Sequence, residues 1–124
     1  MMIRYFTAAI LAIFMSSADA AQENGGPGQL TFNNHCRTCH STKPDDNRLG
    51  PSLFGVFGRK AASGRGYSYS DAMKNSALTW DEGALDKFIA NPEALVPGNG
   101  MKPFTGISNT HERALIIDFL RMLH

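Results

Sequence analysis

The amino-acid sequence predicts an all-α fold, and three observations support that prediction. Apolar residues recur at helical spacing in several segments of the 124-residue chain. Capping residues stand at the start of the two segments with the clearest apolar stripes. No segment alternates apolar and polar residues as a half-buried strand does, and no internal repeat is present. A chain of this length supports about one small domain, which we place at residues 28–124.

The N-terminal residues have the composition of an export signal. Arg4 precedes an uncharged apolar run over residues 5–15, and the small residues Ala18 and Ala20 follow it. This order is typical of a secretory signal peptide cleaved after Ala20, so residues 1–20 are predicted to be removed and the mature protein to be periplasmic. The alternative is a retained membrane anchor, but the run is shorter than the ~20 apolar residues that span a bilayer.

The charge of the chain is nearly balanced. The formal net charge is +1, and loss of Arg4 and Asp19 with the signal peptide takes Lys+Arg from 12 to 11 and Asp+Glu from 11 to 10. This balance provides no electrostatic basis for binding nucleic acid, so no nucleic-acid partner is expected. Residues 21–27 are rich in glycine and are predicted to form a flexible lead-in.

The first predicted helix follows the lead-in. It extends over about residues 29–40, and the four-residue spacing of Phe32 and Cys36 places their side chains on one face. Residues 41–69 are rich in Gly, Pro, Ser and basic side chains and are predicted to form a long loop. Loops of this length in a compact domain are usually functional.

Helical patterns return in the second half of the chain. They cover SDAMKNS at residues 70–76 and then TWDEGALDKFIANP, where Thr79 and Glu82 have the spacing of a capping box and Pro92 marks the end. The predicted buried stripe of this second segment is Leu85, Phe88 and Ile89.

The C-terminal part begins with a loop and ends with a helix. Residues 96–106, VPGNGMKPFTG, contain two prolines and three glycines and cannot form regular structure. Asn109 is the predicted N-cap of the last helix, with Glu112 three residues further on. The apolar stripe of this helix is predicted to be Leu115, Ile116, Phe119, Leu120 and Leu123.

The two cysteines of the chain stand in a Cys-x-x-Cys-His motif formed by Cys36, Cys39 and His40. One interpretation is a disulfide, which is common in exported proteins. A second is a redox-active dithiol, but that site is found in a βαβ framework, of which the sequence gives no sign. A third is structural zinc, which needs four ligands, and the remaining three histidines lack the paired spacing of such sites.

The fourth interpretation is covalent attachment of a c-type haem, for which this motif is the known signature. On one helical turn Cys36 and Cys39 lie on the same side, so that each can bond one haem vinyl group while His40 lies under the iron. Met101 stands between a glycine and Lys-Pro, where helical core packing does not explain it, and is the predicted sixth ligand. A thioether favours reduced iron, and two filled axial positions suit electron transfer without a small-molecule substrate or enzymatic activity.

The chain resembles the class I c-type cytochromes, in particular mitochondrial cytochrome c and its close bacterial relatives. The resemblance runs from Gly28 to about Leu123 through GQLTFNNHCRTCH, LGPSLFGVFGRKAASGRGYSYSDAMKNSALTW, FIANPEALVPGNGM and FTGI. It implies a cytochrome c fold, in which three main helices, short helices and long loops wrap around one haem c. It also implies thioether bonds from Cys36 and Cys39 and iron ligation by His40 and Met101.

Further site residues follow from the resemblance alone. Pro51 matches the proline whose carbonyl oxygen accepts the Nδ1 proton of the ligand histidine, a bond that fixes the ring. The residues that match partners of the haem propionates are Arg59, Tyr69 and Trp80, and buried carboxylates need such partners. The residues that match the contact between the first and last helices are Gly28, Phe32 and Phe119.

The sequence also departs from the family pattern. Met73 and Phe88 stand where an asparagine and a tyrosine of a polar network are usual, and Asn99 stands where a threonine is common. The segment from Met101 to Phe104 is one residue longer than the usual Met-x-Phe. Most lysines that the family places around the haem edge are replaced, by Gln29, Leu30, His35, Glu93 and Gly100, although Lys102 and Lys43 remain candidates for that edge.

The sequence therefore predicts a soluble, exported, monomeric electron-transfer protein. It would carry one electron on a His/Met-ligated haem between redox partners such as a membrane-bound cytochrome complex or a terminal oxidase of a respiratory chain. The alternatives are a haem-binding subunit of a larger complex and a peroxidase-like enzyme with a labile sixth ligand.

Overall fold

The computed structural model describes residues 26–124, so the predicted signal peptide and most of the predicted lead-in lie outside the described residues. The helices are α1 (Gly26–His35), α2 (Asp71–Lys74), α3 (Glu82–Ala90), α4 (Pro92–Leu95) and α5 (Thr110–Arg121). Three are main helices and two, α2 and α4, are single turns. The described residues contain no β-strand, only an isolated bridge between Lys60 and Thr79. The all-α prediction is confirmed.

Helix α1 begins earlier than the sequence predicts. It starts at Gly26, so the last two residues of the predicted flexible lead-in, Gly26 and Pro27, belong to the helix. Proline is favoured in a first helical turn because its missing N–H would have no partner there. The helix ends at His35, but the backbone bond from His40 N–H to the Cys36 carbonyl, 3.0 Å, continues one helical turn through the cysteine motif.

Helix α3 begins at Glu82, and the predicted capping box of Thr79 and Glu82 is wrong. The N-cap is Asp81, whose side chain accepts a hydrogen bond from Ala84 N–H at 2.8 Å. Thr79 instead lies in the bridge with Lys60. The predicted buried stripe is confirmed, since Leu85, Phe88 and Ile89 are all buried.

Helix α5 has the predicted N-cap and a wider buried face than predicted. Asn109 Oδ1 accepts a hydrogen bond from Glu112 N–H at 3.0 Å. The buried residues are Ile116, Ile117, Phe119 and Leu120, whereas Leu115 and Leu123 are only half-buried. Helix α5 packs against both α1 and α3, and its buried face extends to Ile117, which the predicted stripe did not include.

The first and last helices cross closely, as predicted. Phe32 is 1% exposed and its ring centroid lies 5.2 Å from that of Phe119. Gly28 allows the approach, because a Cβ there would lie 2.7 Å from the carbonyl oxygen of Leu115. On the other side of α5, Arg113 Nε bonds Asp86 of α3 at 2.7 Å. No helix in residues 26–124 is long and apolar enough to cross a membrane.

Candidate functional site

A cavity of about 370 Å³ lies between the main helices and the long loops. Its volume is within the range of about 300–1,000 Å³ that is typical of small-molecule and cofactor sites. Residues of α1, α3 and α5 all contribute to its walls. Every site residue predicted from the sequence lines it, namely Cys36, Cys39, His40, Pro51, Arg59, Tyr69, Trp80 and Met101.

The two cysteines lie at the wall of the cavity on the turn that follows α1. Both side chains are half-buried, and their sulfurs are not joined in a disulfide. Burial, and to a smaller extent the neighbouring Cys39, raises the pKa of Cys36 to about 12, so this thiol is neutral. Among residues 26–124 no three His, Cys, Asp or Glu side chains come together to hold a metal ion, and the zinc interpretation therefore lacks ligands there.

His40 is held in one orientation by its neighbours. Its Nδ1 lies 2.7 Å from the carbonyl oxygen of Pro51, and because that oxygen can only accept, Nδ1 carries the proton. Nε2 is then left with a free lone pair. A Cβ on Gly50 would overlap the His40 ring, so the chain passes directly against the imidazole. Burial lowers the pKa of His40, partly opposed by the bond to Pro51, and this favours the neutral, metal-binding form.

Met101 lines the same cavity from the loop after α4. Its side chain is half-buried, and its backbone N–H donates to Asn99 Oδ1 at 2.8 Å. Met73 and Phe88, at the positions of the family's polar network, also line the cavity, so this part of the wall is apolar. In the lengthened segment after Met101, Phe104 is half-buried and packs against the core.

The hydrogen bonding of Arg59 indicates whether the cavity suits a haem. Its Nη1 donates to the carbonyl oxygen of Phe54 at 3.1 Å, but its Nε is buried without a hydrogen-bond partner among the described residues. A buried N–H without a partner costs free energy, and a propionate oxygen would satisfy it. Tyr69 is next to it in the wall, and its hydroxyl accepts from Gly64 N–H at 3.1 Å, so the hydroxyl proton remains available for donation. The residues present therefore fit a haem with anionic propionates.

Sequence reasoning missed two residues of the site. Gly50 packs against His40, and the only local signal was its position before Pro51. Tyr67 lines the cavity, donates from its hydroxyl to the Leu49 carbonyl at 2.8 Å, and packs edge-on against Tyr69 at 4.9 Å. Nothing in the spacing of the loop distinguished Tyr67 from the other aromatic residues.

Comparison with known proteins adds an independent observation. No family model matches the chain. The chain is similar to a cytochrome c2 of Rhodomicrobium vannielii, 45% identical over 115 residues that cover 90% of this chain and 88% of the relative. It is similar to a cytochrome c of Arabidopsis thaliana, 37% identical over 86% of this chain and 96% of the relative. Among solved structures it is similar to cytochrome cH from Methylobacterium extorquens, with a TM-score of 0.70 and 41% identity over 76% of this chain and 93% of that one.

Proposed function

The chain belongs to the class I c-type cytochromes, and from that membership we propose that its cavity holds the haem through Cys36, Cys39, His40 and Met101. It carries one covalent haem c and is an electron carrier, not an enzyme. The alternative of a peroxidase-like enzyme is not favoured, because the similar proteins are cytochromes c2 and c.

One observation carries the assignment of residues to roles. One largely apolar cavity contains all the groups that the assignment needs. It is lined by two thiols, a neutral imidazole, a thioether and an arginine whose buried Nε has no partner among the described residues. This is the donor set that a covalent haem with two axial ligands and two propionates requires. A disulfide or a dithiol would leave the cavity, the arginine and the methionine without a role.

The bound haem would supply an iron that gains and loses a single electron. The residues of the chain set the conditions for that step. Pro51 fixes the orientation of the His40 ring and leaves the lone pair of Nε2 free to bind the iron. Met101 provides a soft sulfur donor, which favours the ferrous state and raises the reduction potential relative to a second histidine. Met73 and Phe88 line the same cavity and would present apolar side chains to the bound haem.

Mass measurement tests the attachment. After extraction with acid and acetone, the polypeptide should retain one haem, and Cys36→Ser with Cys39→Ser should release it. A mass equal to that of the bare chain would reject covalent attachment.

Substitution of Met101 tests the sixth ligand. Met101→Ala should lower the reduction potential and open the sixth position to other ligands, because the soft donor that favours ferrous iron is lost. Met101→Ala with the potential and spectrum of the wild type would reject the role of this methionine.

We also propose a periplasmic location. The support is the signal-like composition of residues 1–20 and the similarity to cytochromes c2. Sequencing the N-terminus of the protein isolated from a periplasmic extract should give Ala21 as the first residue. Recovery with Met1 intact in a membrane fraction would indicate a retained anchor instead.

The partners are redox proteins, and we propose that a membrane-bound cytochrome complex or terminal oxidase of a respiratory chain binds through a weakly charged face. Two cationic or ionisable side chains that line the cavity are beside acids: Lys102 Nζ is 3.8 Å from Glu93, and His35 Nε2 is 3.4 Å from Glu112. Apolar side chains are exposed instead, with Leu49, another lining residue, 76% exposed and Leu30 62% exposed.

Salt dependence tests this docking face. A strong basic face would accelerate association at low salt, whereas a mainly apolar face responds little. Electron-transfer rates to the isolated oxidase should change less than tenfold between roughly 10 mM and 300 mM salt, over which the Debye length shrinks about fivefold. A fall of tenfold or more would show that a strong basic face is present.

A further inference from the structure

The loop that carries Met101 is connected to α4 by a network of hydrogen bonds. Glu93 of α4 accepts from Gly98 N–H at 2.9 Å and from Asn99 Nδ2 at 3.3 Å. Asn99 Nδ2 also donates to the Val96 carbonyl at 3.0 Å, and Asn99 Oδ1 accepts from Met101 N–H at 2.8 Å. The network thus connects α4 to the backbone N–H of Met101, the predicted iron ligand.

Burial makes Asn99 the central member of this network. The side chain is 4% exposed, and both of its polar ends are hydrogen-bonded. A buried amide that loses a partner leaves a donor or acceptor unsatisfied, which is costly. The Glu93 carboxylate is 54% exposed, so its contact with Lys102 contributes little to holding the loop.

The loop needs such a network because its own backbone is permissive. Glycines stand on both sides of Asn99, and Gly98 has a φ of +82°, in the left-handed region that glycine favours. Residues 97–109 lie outside the helices, and their main-chain bonds include Asn99 N–H to the Val96 carbonyl at 3.1 Å, which closes a turn just before Met101. The side-chain bonds of Asn99 to the Val96 carbonyl and to Met101 N–H add to this turn and help to set the direction in which the backbone enters Met101.

We propose that Asn99, anchored by Glu93, is a positioning residue that keeps Met101 on the haem iron. This inference rests on the proposed role of Met101 as sixth ligand. We call the hydrogen bonds of Asn99 and Glu93 the clamp. Loss of the clamp should increase the rate at which the methionine leaves the iron while the haem stays attached.

Imidazole capture measures that rate in the oxidised holoprotein. An added imidazole binds the iron only after Met101 leaves, so the binding rate reaches a plateau at high imidazole that equals the departure rate of the methionine. Asn99→Ala should raise the plateau about tenfold, the factor expected for a lost buried hydrogen bond. Asn99→Ser keeps a hydroxyl that can accept from Met101 N–H and should give a smaller increase, about threefold.

Glu93 provides a second variant at an exposed position, so its substitution leaves no cavity in the core. Glu93→Ala should raise the plateau about threefold, and Glu93→Gln, which keeps an acceptor for Gly98 N–H, should raise it less. The matched control is Asn109→Ala, which removes one side-chain bond at the N-cap of α5 and should leave the plateau within about twofold of the wild type.

The outcomes separate this inference from the proposed function. A wild-type protein without the near-infrared sulfur-to-iron band would reject Met101 as ligand. If that band is present but Glu93→Ala and Asn99→Ala leave the plateau unchanged, the clamp is rejected while the ligand stands. An equal acceleration in Asn109→Ala would also reject the clamp, because general loss of stability would explain it. If Asn99→Ala does not yield a holoprotein, Glu93→Ala decides alone.

Discussion

Substitution of Gly28 by alanine should destabilise the protein by separating its first and last helices. A Cβ at this position would lie 2.7 Å from the carbonyl oxygen of Leu115 and 3.0 Å from Cβ of Phe119. Both atoms belong to α5 and cannot swing aside as the end of a flexible side chain does. The backbones of α1 and α5 must therefore move apart, which loosens the contact between Phe32 and Phe119.

The magnitude follows from two opposing effects. Inserting a methyl group into a well-packed contact costs about 1–3 kcal/mol, and the backbone overlap at Gly28 indicates the upper part of that range. Alanine gains about 0.5 kcal/mol over glycine near a helix start, where its propensity advantage is below the full value of about 1 kcal/mol. The expected net loss is about 2 kcal/mol, a large part of the stability of a small domain.

Equilibrium unfolding of the holoprotein in guanidinium, followed by far-ultraviolet circular dichroism, measures this loss. Gly83→Ala is the matched control, since Gly83 also lies in a first helical turn but its Cβ would have 3.7 Å of clearance from Asp81 Oδ1. That variant should gain about 0.5 kcal/mol. If Gly28→Ala proves as stable as the wild type, or Gly83→Ala loses as much, the close helix contact is not what requires glycine at position 28.

Three further substitutions probe the cavity. Met73→Ala should lower the free energy of unfolding by about 2 kcal/mol, because the Met73 side chain is half-buried. The variant should keep the sulfur-to-iron band. Loss of that band would implicate Met73 in iron ligation. Gly50→Ala should displace the His40 ring and lower the reduction potential or the haem content, and a variant indistinguishable from the wild type would contradict the observed contact. Arg59→Met should make the reduction potential fall with rising pH near neutrality, because a haem propionate without its cation takes up a proton more readily. Titration of the reduction potential between pH 5 and 8 checks this. A profile that matches the wild type would exclude Arg59 as the partner of a propionate.

Features of the helices were predicted correctly where they depend only on residues close together in the sequence. The buried stripe of α3 and the Asn109 cap of α5 needed only residues within one or two turns. The start of α3 could not be predicted from nearby residues alone. Thr79 and Asp81 are both good capping residues, and Thr79 is engaged in a bridge with Lys60, which is distant in sequence. Likewise the burial of Ile117 depends on which elements pack around α5, and the apolar spacing of the helix alone does not specify that.

The same limit applies to the site. The spacing of Cys36, Cys39 and His40 favoured haem attachment among four interpretations, and the loop position of Met101 made it the candidate sixth ligand. The roles of Arg59 and its neighbours came only from resemblance. The approach of Gly50 to His40 and the bonds that link α4 to the Met101 loop depend on how aperiodic segments fold, and turn residues alone do not specify those paths.

The near-infrared spectrum of the oxidised holoprotein tests the central claim most directly. His/Met ligation predicts a weak sulfur-to-iron band in the wild type that disappears in Met101→Ala and persists in Met73→Ala. A wild-type spectrum without this band, or a band that survives in Met101→Ala, would contradict the account of this cavity as the site of a haem ligated by His40 and Met101.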